Sequence, residues 1–171
     1  MLTISNCKVP AHYENYVKAN KEKELILALE SSARRFRKLT RKISKKKADY
    51  AYAEGKWTIK ELVQHVIDTE RVFCYRALSF ARMDSTPLPG FDENSWAAHA
   101  KASDRSWKEL LEEFQLVRAA TIAMFDSFDD DQLLKTGISN NHESNVIGLG
   151  FVSAGHVMHH CNILKERYLS E

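Results

Sequence analysis

The chain is poor in the residues that define several protein classes. It has only three cysteines, Cys7, Cys74 and Cys161, with no CxxC pair. An odd, scattered set argues against a disulfide framework and for a reducing compartment. No run approaches the ~18 consecutive apolar residues of a membrane span. Residues 1–20 hold no apolar signal-peptide core, so the expected location is the cytoplasm, away from membranes. A formal net charge of +2 makes no strong electrostatic bid for nucleic acid. Six glycines and three prolines fall mostly in loops. Repeats and low-complexity tracts are absent, and strand-like alternation is nowhere sustained.

What is present is helical periodicity. At 171 residues the chain reads as a single domain, 1–171, with residues 1–22 as an irregular N-terminal arm holding a short helix near Tyr13–Ala19. Leu25, Leu29, Phe36, Leu39 and Ile43 mark a first long helix over Glu24–Ile43. Thr58 followed by Glu61 forms a capping box that opens a second helix reaching Arg82. Its stripe is Leu62, Val66, Thr69, Phe73, Ala77 and Phe80. A third helix starts near Ser103 or Asp104 and carries Trp107, Leu110, Phe114, Val117 and Ile122. Ser144 reads as the cap of a fourth, covering Asn145–Leu169. Four long helices in one domain predict an all-α four-helix bundle. About twenty residues join helices two and three, enough to cross the length of a neighbour.

The histidines stand out against this frame. His65 lies on the edge of the apolar stripe of helix two. His156, His159 and His160 cluster on helix four. At about 100° per residue, His156 and His160 share a face one turn apart, while His159 flanks His156 on the other side. Periodicity leaves His159 and His160 as equal second ligands on that helix. Imidazoles turned into a bundle from two helices suit a divalent metal, and three ligands leave one coordination position open. Such an ion lowers the pKa of bound water or holds a thiol as thiolate. Hydrogen-bonded core histidines are the plainer alternative. Val157 follows His156 where HExxH would need glutamate, so a metalloprotease is not expected.

Other candidates carry ordinary readings beside functional ones. Asp68 and Glu70 are placed to orient a ligand or to form inter-helix ion pairs. Arg76 and Arg118 accompany the inner faces of helices two and three, as anion-binding groups or as snorkelling side chains. Trp57, Trp96 and Trp107 read as core or loop anchors; Phe91 and Trp96 are also candidates to wall a metal pocket. The basic run Arg34–Lys47 reads as a solvated face. Ser153 and Cys161 are poorly placed to be nucleophiles.

The stretch from Tyr52 through Trp57, His65, Asp68 and Arg71, then Thr86-Pro-Leu-Pro-Gly90-Phe-Asp92-Glu93, then Gly155-His156-Val-Met-His159-His160 with Glu166-Arg167-Tyr168-Leu169, resembles DinB-like proteins. The resemblance runs from about Tyr16 onward. It implies a bundle of up-down-down-up order. It implies a metal, zinc or nickel foremost, held by His65, His156 and His160, with His159 outside the ligand set. It further implies a thiol-dependent S-transferase acting on a small-molecule substrate with a low-molecular-weight thiol cosubstrate, and a homodimer. A metal-dependent hydrolase and a non-catalytic binding bundle are the alternatives.

Overall fold

Local caps set where the helices begin, and their apolar stripes set how they pack. The computed structural model describes residues 2–169; Met1, Ser170 and Glu171, the ends of the expected domain, lie outside the described residues. After a 3-10 turn at Ile4–Asn6, α1 covers Ala11–Lys18, α2 Leu25–Thr40 and α3 Lys45–Ala48. The long α4 spans Ile59–Ala81. Its capping box forms as expected: Glu61 N donates to Thr58 Oγ1 at 3.2 Å, and Thr58 N donates to Glu61 Oε2 at 2.7 Å. Next come α5 at Glu93–His99, a 3-10 turn at Ala102–Asp104, α6 at Trp107–Asp126 and α7 at Asp130–Leu134. Strands β1 (Thr136–Ser139) and β2 (His142–Asn145) precede α8 at Val146–Ile163, which ends in a π-helical turn at Leu164–Tyr168.

Helices α2, α4, α6 and α8 form the bundle, and their cross-contacts fix its directions. Gln64 meets Arg105 just before α6, and along α4 and α6 Glu70 meets Arg118 and Cys74 meets Thr121, so the two advance together and are parallel. Arg35 on α2 reaches Asn162 on α8, and Leu25 lies against Gly150; these two are parallel as well. Phe36 stacks on Phe114 while Leu29 and Ser32 meet Arg118, which makes α2 and α6 antiparallel. The order is therefore up-down-down-up, and the crossover between α4 and α6 is what permits two sequential helices to run the same way.

The core is two apolar clusters with a polar layer between them. One gathers Leu25, Leu29, Phe73, Phe80, Phe125, Leu149 and Phe151. The other gathers Phe36, Ile59, Leu62, Val66, Leu110, Val157 and Leu164. Between them lie Ser32, Glu70, Arg118, Thr121, His156 and His160, all buried. Arg118 Nε and Nη2 donate to the two Glu70 oxygens at 2.7 and 2.8 Å. Arg118 Nη1 donates to the Leu29 carbonyl at 2.8 Å and Ser32 Oγ at 2.6 Å. Thr121 Oγ1 donates to Glu70 Oε1 at 2.7 Å. Glu70 and Arg118 thus satisfy each other, and neither serves a ligand.

Two expectations are corrected. A short antiparallel hairpin exists where no strand is expected: β1 pairs with β2 through Ile138↔Glu143, and Asn140 and Asn141 turn with φ of 49° and 62°. Asparagine tolerates that left-handed pair, which matches strand twist in a two-residue turn. The cap of α8 is Asn145, whose side chain accepts from Gly148 N at 3.0 Å, with Ser144 still in the strand. The N-terminal segment, expected as an irregular arm with a short helix near Tyr13–Ala19, holds that helix as α1 and is bonded onto the bundle. Asn145 Oδ1 accepts from Lys8 N, Asn145 Nδ2 donates to the Asn6 carbonyl, and Asn20 Nδ2 donates to the Phe151 carbonyl. A Cβ at Gly155 would overlap the Tyr16 carbonyl, so only glycine lets α1 lie this close to α8. Among the described residues, no helix is long and apolar enough to cross a membrane.

Candidate metal centre

His65 sits two turns into α4, and His156 and His160 sit one turn apart on the antiparallel α8. His65 Nε2 lies 3.1 Å from His156 Nε2, and His160 Nε2 lies 3.0 Å from the same atom. Among the described residues, these three are the one group of three or more His, Cys, Asp or Glu whose ligand atoms all fall within 4.8 Å of one another. His156 and His160 are 4% and 6% exposed, and His65 is half-buried.

Hydrogen bonding alone does not account for this cluster. An sp² ring nitrogen has one lone pair or one N–H. His156 Nε2 faces two other ring nitrogens, so one N–H···N bond leaves the second contact unsatisfied. A shared cation satisfies all three lone pairs at once. Nitrogens ~2.0–2.1 Å from a tetrahedral zinc ion lie ~3.3 Å apart, close to the observed spacing. Burial also keeps the rings neutral. Desolvation pushes His65 down to about 4, against a pull upward from Glu93. It holds His156 and His160 well below the usual histidine range, with the neighbouring imidazoles adding to the effect. The donor set therefore fits a divalent ion of the zinc or nickel kind.

The surroundings hold the rings in place. Thr69 Oγ1 lies 3.4 Å from His65 Nδ1. Trp57 packs on His65 with centroids 4.8 Å apart, and Tyr168 fixes Trp57 by donating its hydroxyl to the Trp57 carbonyl at 2.6 Å. Tyr16 and Phe73 present edges to His156 at 5.5 and 5.9 Å. His159 is exposed, with its ring against Tyr16 and His160 and its nitrogens outside the triad. The triad lines a cavity of about 380 Å³, together with residues of α1, α4, the crossover and the hairpin turn.

The crossover is pinned over this cavity. Leu88 N donates to the Ile138 carbonyl and Asn140 N to the Leu88 carbonyl, both at 2.9 Å. Arg76 Nη2 donates to the Pro89 carbonyl at 2.8 Å. Of the two candidate wall residues, Phe91 lines the cavity, and Trp96 packs on Phe91 at 4.7 Å but lines an adjoining apolar compartment of about 390 Å³. Asp68 accepts from Gln64 at 2.9 Å and lines the adjoining compartment rather than the histidine cavity. Sequence reasoning missed Tyr13, Tyr16, His12 and Asn140, which also line the cavity. Gly148 and Gly155, seven apart and both against the N-terminal segment, were the available signal. None of the cysteines is a ready nucleophile: burial pushes Cys7 up to about 12 and Cys74 and Cys161 up to about 11.

Comparison with known proteins agrees with this frame. A protein of Oceanobacillus iheyensis, provisionally named a metal-dependent hydrolase, is 29% identical over 75 residues, which is 43% of each chain. The chain thus matches under half the length of that curated relative. YfiT from Bacillus subtilis, described as a probable metal-dependent hydrolase with an unusual four-helix bundle topology, has a TM-score of 0.68 at 17% identity. That likeness covers 86% of this chain and 87% of YfiT. A mycothiol-dependent maleylpyruvate isomerase has a TM-score of 0.68 at 13% identity, covering 81% of this chain and 58% of the isomerase. At such identities the solved structures speak for the fold. The family model of the DinB superfamily matches residues 28–164, from the first turn of α2 past the end of α8. That span holds α4, α6, α8, all but the first residues of α2 and all three converging histidines, and on that ground the chain belongs to the DinB superfamily.

Proposed function

We propose that this chain is a metal-dependent enzyme, with His65, His156 and His160 holding one divalent ion and a small molecule bound above it. The observation that carries this reading is the convergence of three neutral Nε2 atoms on the floor of one cavity. A divalent ion at such a site supplies Lewis acidity and an acidified nucleophile. The chain supplies the rest. Trp57, Tyr16 and Phe73 hold the rings and keep bulk water from their backs. Glu93, at the start of α5, is among the described residues the one carboxylate in the cavity wall and accepts a proton from the attacking group. With the cysteines unactivated, the nucleophile comes from solution.

Hydrolysis, with water as that nucleophile, is the first reading; the names of the Oceanobacillus and Bacillus proteins support it. Thiol transfer is the second. The adjoining 390 Å³ compartment, which shares Arg76, Gly90 and Phe91 with the first, leaves room for a second organic substrate. Elemental analysis of protein purified without an affinity tag should find about one zinc or nickel per chain. Turnover of ester and amide panels without added thiol supports hydrolysis, whereas turnover of electrophiles only with added thiol supports transfer. Metal-free protein that takes up no zinc on titration rules out the metal reading.

A further inference from the structure

Two arginines lie in the middle of this bundle, both 2% exposed, and they meet opposite fates. Arg118 is neutralised by both oxygens of Glu70. Arg76 is not neutralised. Its Nη2 donates to the Pro89 carbonyl at 2.8 Å, and its Nη1 lies 3.4 Å from the Tyr13 hydroxyl. Both partners are neutral, and among the described residues no aspartate or glutamate forms an ion pair with it. Asp68, in the compartment on its far side, is engaged by Gln64 and Arg71. Glu93, in the histidine cavity, is exposed at the start of α5. A buried charge is costly unless something compensates it.

Arg76 is also well placed to be completed by a ligand. It lines both the histidine cavity and the apolar compartment, and its guanidinium contacts Tyr13 of the first and Pro89 of the second. A guanidinium is a planar fork of five N–H groups that matches a carboxylate in bidentate fashion. Among the described residues no lysine or second arginine lines the histidine cavity, so one fork meets one monoanion rather than a phosphate dianion. Tyr13, Phe73 and Phe91 give the same cavity aromatic walls.

We propose that Arg76 is the carboxylate anchor of this pocket, binding the monoanionic end of a small organic acid so that its remainder faces the three histidines. This deepens the metal reading above and rests on it for where reaction occurs, but carboxylate binding itself does not require the metal.

The test uses benzoate, benzamide and inorganic phosphate as probes of the intact chain. Each is titrated into chelator-treated protein and into zinc-loaded protein, followed by backbone amide shifts in NMR. Benzoate should bind at least tenfold tighter than benzamide in both states and tighter than phosphate. Arg76→Lys keeps the charge but loses the fork and should weaken benzoate roughly 10- to 100-fold with benzamide unmoved. Arg76→Gln should abolish the preference, with circular dichroism reporting whether each variant folds. If Arg76 served only to strap Pro89, the benzoate-to-benzamide ratio would stay at its wild-type value in Arg76→Lys. That result overturns the proposal, as do equal affinities for benzoate and benzamide, no benzoate binding, or preferred binding of phosphate. Wild-type protein that prefers benzoate yet takes up no zinc removes the metal reading and leaves the anchor standing.

Discussion

Replacing Arg118 with methionine should be among the most damaging single changes outside the histidine triad. The substitution keeps a similar length and loses every donor at once. Glu70, 1% exposed, would retain only the Thr121 hydroxyl, while the Leu29 carbonyl and Ser32 Oγ would lose their shared donor. Breaking a buried ion pair from one side costs about 3–5 kcal/mol, because the surviving charge stays buried without compensation. For a chain of this size each kcal/mol lowers the melting temperature by about 2–4 °C, so the expected drop is roughly 6–20 °C. The double variant Glu70→Leu with Arg118→Met removes both charges, and apolar replacement of a whole pair is often neutral or stabilising. It should recover most of the loss, giving a coupling of at least about 3 kcal/mol in a urea-unfolding cycle. It should also take up zinc as wild type does, because neither residue touches the triad. A single-variant loss under about 1 kcal/mol, or a double variant as unstable as the two singles summed, would refute the assignment of this pair as the satisfied centre of the polar layer.

Metal content separates the histidines: His65→Ala should lose most bound zinc by elemental analysis, whereas His159→Ala should keep it. Equal loss in both variants would place His159 among the ligands. Gly155→Ala drives a methyl into the Tyr16 carbonyl; it should displace α1 and cost about 1–3 kcal/mol, seen as earlier urea unfolding and faster amide exchange in residues 11–18. In metal-free protein the triad is neutral when folded, with His65 pushed down to about 4 and the other two well below the usual range. The unfolded chain takes up protons from about pH 6.5 downward while the folded one does not, so stability should fall as pH drops from about 6.5 toward 4. Chemical denaturation across that window tests it, and a flat or rising profile on acidification would contradict neutral buried rings. Saturating zinc should raise the melting temperature, by about 2.7 kcal/mol of stability at a hundredfold excess over Kd, and chelator should reverse it.

Much of the frame is legible from local rules. The Thr58–Glu61 box, the apolar stripes and the length of the crossover each depend on residues close in sequence, so short-range chemistry is enough to read them. The hairpin escaped because its eight strand residues are mostly polar and its register depends on one two-residue turn. Helix α5 escaped because a seven-residue helix carries too little period to read.

The chain alone determined four helical rods, a crossover long enough to let two successive rods run the same way, and a set of histidines turned inward from two of them. Only the assembled bundle decided among residues that periodicity treats as equals. His160 meets His65 and His156 while His159 sits at the exposed rim of the same cavity with its nitrogens outside the triad, because antiparallel α4 and α8 bring one edge of each together. Among the described residues Arg118 pairs with a carboxylate and Arg76 does not, although both are buried, because the packing of α6 against α4 puts Glu70 within reach of Arg118. Helical spacing fixes direction around an axis; which groups end up 3 Å apart is settled by how the axes pack.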